Sequence, residues 1–307
     1  MFQTESILDY LQSLTSGFLN GRDADVLNKK ISLIRKKKND PKLYLAVVGE
    51  FNSGKSTFIN ALLGFRLLKE AVKPTTSCAT YLQCGASRLS LKTSFFDNKR
   101  FLADESNYDS LKNYIESEYD LRITNFFDLI TALTSVQNIA KNVKSLFIKI
   151  PGNSIPPNII IIDTPGFNPG SDCFDNHLEI TKDVVENVAD SAIILTSQEQ
   201  AMSTSLSGFL KNYLSRCLHR CIYVVTKFDL LENDFSRKEV MEYVYQRINL
   251  DLNINNPKLF GISSVTALPV KQIPFDKEKE WPDLKKAFFQ FKSQTWSTLQ
   301  KRLRLCP

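Results

Sequence analysis

The sequence is poor in histidine, has no CxxC pair and contains no long apolar run. Its only histidines, His177 and His219, sit in no motif and read as structural or exposed residues rather than acid–base catalysts. The six cysteines, Cys78, Cys84, Cys173, Cys217, Cys221 and Cys306, lack zinc spacing, and only Cys217 and Cys221 lie close together. They read as buried or free reduced thiols. The longest apolar runs, such as Leu43 to Val48 and Ile159 to Ile162, have strand length and fall far short of the roughly 20 residues that cross a bilayer. The amino-terminal MFQTESILDY has no basic region followed by an apolar core and a cleavage site. That argues against a secretory signal and gives a cytoplasmic expectation. Internal repeats and low-complexity tracts are also absent.

Of the 307 residues, 43% are hydrophobic and 23% charged, which supplies a buried core and rules out wholesale disorder. The formal charge is +6, and part of the excess is local: Lys29, Lys30, Arg35, Lys36, Lys37 and Lys38 precede Asn39, Asp40 and Pro41. Cations suit the C-terminal end of a helix dipole, so the cluster reads as a solvated helix end; an anionic membrane surface is the sharper alternative.

Residues 5 to 38 have helical apolar spacing with a break near Gly21. From Leu43 onward, short continuous apolar runs alternate with helical patterns. Strands are expected at 43–48, 79–84, 88–96, 146–150, 158–162, 191–196, 221–226 and 258–262, and helices at 55–63, 178–187, 204–214 and 238–249. Continuous apolar strands separated by helices predict an α/β fold, a mostly parallel sheet flanked by helices. Residues 108–140 are expected as one or two inserted helices. The stretch 281–303 carries a helical stripe with Trp281, Phe288, Phe291 and Trp296, expected to pack on the N-terminal helix through Ile7, Leu11 and Leu14. Its lysines and arginines offer a membrane-lying helix as the alternative. The expected division is a helical segment 1–40, a nucleotide-binding domain 41–275 and a C-terminal helix 276–307.

Three segments carry chemistry, each at the end of an expected strand. Gly49-Glu50-Phe51-Asn52-Ser53-Gly54-Lys55-Ser56 is a full GxxxxGK[ST] between a strand and a helix. Its backbone amides, continuing to Thr57 at the helix start, suit phosphates; Lys55 neutralises their charge and Ser56 holds Mg²⁺. Asp163-Thr164-Pro165-Gly166 follows NIIII: the carboxylate can hold a water on Mg²⁺ and the Gly166 amide can sense a γ-phosphate. Thr226-Lys227-Phe228-Asp229 follows CIYVV. A carboxylate there accepts from guanine N1–H and the 2-amino group together, a contact adenine cannot offer, and Lys227 can lie along the base. Ser263 and Ser264, in GISSVTA, mark a further loop that can approach the base, and Lys73-Pro74-Thr75-Thr76 is a loop whose threonine, Thr76 in preference to Thr75, can complete the metal shell. Together these signals read as a GTPase using GTP and Mg²⁺.

The same residues resemble the dynamin superfamily, in particular the bacterial dynamin-like proteins, relatives of mitofusins. The resemblance rests on GEFNSGKSTFINALLG at 49–64, KPTT at 73–76, DTPGFN at 163–168, TKFD at 226–229 and the helical insertion before the DTPG strand, and covers roughly residues 43 to 268. It implies a GTPase head with flanking neck helices, a long helical stalk and a membrane-binding tip. The sequence ends at Pro307, where the stalk would begin. A head fragment, a chain served by a stalk-bearing partner, and a short standalone GTPase all remain open. It further implies a homodimer formed across the nucleotide face, peripheral to a membrane.

Phe167 stands where Ras-like enzymes carry the glutamine that orients the attacking water. Asn52 matches the position at which cation-activated GTPases carry an asparagine beside K⁺, so Lys55, Asn52 and Thr76 are the catalytic candidates. The other reading of Asn52 is a turn residue capping its own loop. The competing function is a monomeric GTP-dependent switch in RNA or ribosome assembly, for which the positive charge speaks; the lack of an RNA-binding domain after the nucleotide-binding segment makes nucleic acid the less favoured partner.

Overall fold

The three strands that precede the chemical motifs lie inside one sheet, away from its edges. The computed structural model describes residues 2–18, 21–38, 42–69, 78–167, 175–268 and 290–297. The chain begins with helices α1 (Phe2–Phe18) and α2 (Arg22–Lys38). Strand β1 (Leu43–Gly49), helix α3 (Lys55–Leu63), and strands β2 (Thr80–Ala86), β3 (Ser90–Phe95) and β4 (Arg100–Asp104) follow. Next come α4 (Asp109–Tyr119), α5 (Phe126–Ser135), α6 (Gln137–Ala140), β5 (Val143–Pro151) and β6 (Ile159–Asp163). The remainder is α7 (Asp175–Asp183), β7 (Ser191–Ser197), α8 (Thr204–Tyr213), β8 (Ile222–Thr226), α9 (Asp234–Leu252), β9 (Lys258–Gly261) and α10 (Ser264–Ala267).

The chain divides into two compact units, residues 1–43 with 297–307, and residues 44–296. In the first, α1 and α2 pack together; Leu8 and Ile31 are its buried apolar residues, while Ile7 and Ile34 are exposed. Arg35 of α2 pairs with Asp9 and donates to Gln12 Oε1 at 2.6 Å, fixing the register of the two helices.

The second unit holds a nine-stranded sheet in the order β4-β3-β5-β2-β6-β1-β7-β8-β9. Strands β1, β7, β8 and β9 are mutually parallel. Strand β2 runs parallel to β5 and antiparallel to β6, and β3 is antiparallel to both β4 and β5. Every residue of β6, β7 and β8 is buried, as their continuous apolar runs require. The core beside them is built from Val48, Ile194, Leu206, Leu210, Tyr223 and Ile248 among others.

Three features depart from the expectation. Arg100–Asp104 forms a separate strand, β4, paired with β3, whereas only strand 88–96 was expected there. The insertion is three helices, not one or two, with Asn125 capping α5 through the amide of Asp128 at 2.9 Å. Helix α7 passes into a π-helical turn, Val184–Val188, where Val184 and Val185 are buried.

Residues 290–297 are helical. Phe291 is buried with its ring 5.7 Å from Phe58 of α3 and 5.1 Å from Phe260 of β9. Lys292 Nζ donates to Leu62 O at 2.9 Å, meeting a carbonyl at the end of α3. Trp281 and Phe288 lie outside the described residues, as do Thr75, Thr76, Cys173 and Cys306. The other four cysteines are buried and form no disulfide among the described residues, and among those residues no helix is long and apolar enough to cross a membrane.

Candidate functional site

The phosphate loop joins β1 to α3, and its backbone is shaped for close approach. Gly54, the N-cap of α3, has φ 83, and no side chain caps the helix, so its first amides are left to a ligand. A Cβ on Gly49 would stand 2.5 Å from Leu195 O and from Ser53 Oγ, which excludes any larger residue there. Lys55 is buried and Nζ donates to Gly49 O at 2.9 Å and Glu50 O at 2.8 Å, with Ser53 Oγ at 3.5 Å. Ser56 and Thr57 follow on the first turn of α3, both partly buried.

Asp163 closes β6 and is buried. Burial pushes its carboxyl up and pulls the Lys55 ammonium down, while the attraction between the two opposes both shifts. Asp163 Oδ1 is buried with no hydrogen-bond partner among the described residues. An orphaned carboxylate oxygen facing a phosphate loop fits a Mg²⁺-bound water, with Ser56 supplying a hydroxyl. Gly166 comes so near the lysine that a Cβ would meet Lys55 Nζ at 2.9 Å.

The Thr226–Asp229 segment is tied to the phosphate loop. Thr226 Oγ1 donates to Ser53 O at 2.8 Å, so its hydroxyl fixes the loop. Lys227 adopts φ 62 and its Nζ lies 2.8 Å from Glu199 Oε2. Phe228 is buried, and a Cβ on Gly261 would fall 2.3 Å from its ring, so Gly261 makes room for the turn that presents Asp229. Asp229 Oδ1 is buried and unpartnered among the described residues, which fits an acceptor awaiting guanine donors. Ser263 is spent on capping: its Oγ accepts from Thr266 N at 3.3 Å, whereas Ser264 Oγ is buried without a partner. The fold thus brings together Gly49, Ser53, Gly54, Lys55, Ser56, Asp163 and Gly166, with Thr226, Lys227 and Asp229 linked to them through Ser53.

Some residues at the site carried no motif signal. Glu50 is a buried carboxylate in the phosphate loop, and its Oε1 accepts from Ser205 Oγ on α8. Glu199 holds Lys227. Buried Asn60 accepts from Leu67 N at 3.0 Å and Leu68 N at 2.9 Å and donates to Leu68 O at 2.8 Å, anchoring the chain one turn beyond α3. A polar residue inside the apolar FINALL run was the available signal for Asn60; Glu50 and Ser205 are 155 positions apart and gave none.

Fold and site together define a P-loop GTPase domain, a GTP hydrolase with a mostly parallel sheet flanked by helices. The chain belongs to the dynamin family, whose family model matches residues 45–228. It is 27% identical over 232 residues to an Arabidopsis thaliana protein described as a probable transmembrane GTPase, FZO-like, chloroplastic, with 76% of this chain and 20% of that protein covered. It is 29% identical over 223 residues to dynamin-like protein 1 of Campylobacter jejuni, with 65% of this chain and 29% of that protein covered. A solved structure described as an oligomerised bacterial dynamin pair, with a mechanism for long-range sensing and tethering of membranes, superposes with a TM-score of 0.58 at 20% identity. That likeness covers 99% of this chain and 46% of the other, and it concerns the fold. The chain spans less than half the length of each of these three proteins.

Proposed function

We propose that the chain is a dynamin-like GTPase head whose turnover is switched on when two copies meet across their nucleotides, coupled to assembly at a membrane directly or through a stalk-bearing partner chain. The observation that carries this reading is the contrast between Phe167 and Asn52. Phe167 follows DTPG, and its ring is buried and stacked on Phe209 with centroids 4.4 Å apart, so it presents nothing to orient a water. Asn52 is exposed in the phosphate loop at φ 61, and its side chain makes no hydrogen bond among the described residues. Its amide oxygen is therefore available to a ligand rather than spent on capping its own turn.

In this reading Lys55, the loop amides and Gly166 hold the phosphates of GTP. Ser56 and Asp163, the latter through a water, would hold Mg²⁺, with Thr76 the candidate to complete its shell, while Thr226, Lys227, Asp229 and Ser264, with the backbone at Ser263, would form the base pocket. Bound Mg²⁺ would draw charge from the phosphate oxygens, and K⁺ beside Asn52 would supply the positive charge that an arginine finger otherwise provides. A second copy covering the loop would exclude water from the reacting phosphate.

Specific GTPase activity should rise with protein concentration, be higher in K⁺ than in Na⁺, and fall on Asn52→Ala while GTP binding persists. Turnover that is independent of concentration, equal in both salts and unchanged in Asn52→Ala would replace this reading with a monomeric switch.

A further inference from the structure

The DTPGF segment is held by hydrogen bonds at Thr164, Pro165 and Phe167, and one of the holders lies on α7. Thr164 Oγ1 donates to Val47 O at 2.8 Å, and Phe51 N donates to Phe167 O at 3.1 Å. Between these, Thr181 Oγ1 donates to Pro165 O at 3.0 Å, and Thr181 is fully buried. One helical turn earlier, the half-buried ring of His177 lies beside the Gly166 backbone; burial pulls its pKa down and the backbone beside it opposes that shift. Positions i and i+4 share one face of a helix, so Thr181 and His177 face the same segment from successive turns of α7, and Thr181 grips the Pro165 carbonyl.

The consequence follows from the planar trans peptide. The Pro165 carbonyl and the Gly166 N–H belong to one plane and point in opposite directions. Holding the carbonyl in α7 therefore turns the Gly166 amide away from α7, and Gly166 itself abuts Lys55 Nζ and Phe51 of the phosphate loop.

We propose that Thr181 is a positioning residue, a clamp by which α7 fixes the Gly166 amide for a γ-phosphate and in turn feels whether the nucleotide is a triphosphate or a diphosphate. This rests on the nucleotide reading above but assigns the discrimination to a side chain outside every sequence motif. The clamp acts on the third phosphate alone, so its loss separates GTP from GDP.

The test uses the full chain and compares Thr181→Val, which keeps shape and loses the donor, with Thr181→Ser, which keeps the donor. Affinities for GDP and for a non-hydrolysable GTP analogue are measured beside kcat and KM. Thr181→Val should leave GDP affinity within about twofold, while analogue affinity and kcat drop about fivefold to tenfold, the worth of one hydrogen bond, and Thr181→Ser should restore both. Thr181→Ala runs the same comparison without the β-branched bulk, so instability of Thr181→Val does not remove the test. An unchanged analogue-to-GDP ratio and kcat in Thr181→Val and in Thr181→Ala, or equal weakening of both nucleotides, overturns the clamp. Wild-type protein that binds neither nucleotide overturns the underlying reading and the clamp with it.

Discussion

The two halves of the sheet are built on different rules. Strands β6, β7 and β8 are buried at every position, and β1 at all but its first two. On the other side of β6, strands β2, β3, β4 and β5 alternate between buried and more exposed residues over much of their length, and Leu102 on β4 is 79% exposed. All three chemical motifs follow strands of the first half. A strand buried on both faces has one register and few ways to move, so the loops at its end inherit that precision; the alternating half keeps one face available to solvent, and none of the three motifs follows one of its strands.

Substitutions can break or sharpen that contrast. The largest effect is expected for Lys55→Ala: calorimetric titration should show GDP and GTP affinity reduced at least about 100-fold, because charge-assisted contacts to phosphate are worth roughly 1.5–3 kcal/mol each. Ile193→Ala, at a fully buried position of β7, should cost about 2–5 kcal/mol in a urea melt. Asp229→Asn should weaken GDP by about 2–3 kcal/mol and improve xanthosine diphosphate, read by competition binding. The smallest effect belongs to the other half: Leu102→Ser should change stability by no more than about 0.5 kcal/mol and leave GTP turnover alone. Were Leu102→Ser as damaging as Ile193→Ala, the exposed face would have to be a packed one.

The contrast also explains which parts were legible in advance. Continuous apolar runs announce doubly buried strands without ambiguity of face, and each motif sat directly after one, so β1, β6, β7 and β8 and their loops were found nearly residue for residue. In β4, the short RFLAD has a charge at each end and an exposed leucine between, which cancels the apolar signal; the clue was Asn98 in the preceding turn, at φ 67. Phe291 shows a second limit. A helical stripe tells that a face is buried, but the partners are set by tertiary packing, which for Phe291 include Phe58 and Phe260. Side-chain links such as Glu50–Ser205 and Thr226–Ser53 join distant segments and leave no local pattern to read.

The π-helical turn at Val184–Val188 bears on how this chain tolerates changes in length. A π turn carries one more residue than the α turn it replaces, so it absorbs an insertion while the helix on either side keeps its phase. Deleting Glu186, which is not among the buried residues of that turn, should convert it to an ordinary turn and leave His177 and Thr181 facing the same loop and Ser191 beginning the same strand. The same deletion within α3, a helix with no such slack, would rotate Lys55 and Ser56 relative to the buried Phe58–Leu63 face and disassemble the phosphate loop. One helix of this domain is thus a place where the gene can gain or lose a codon, and the other is not.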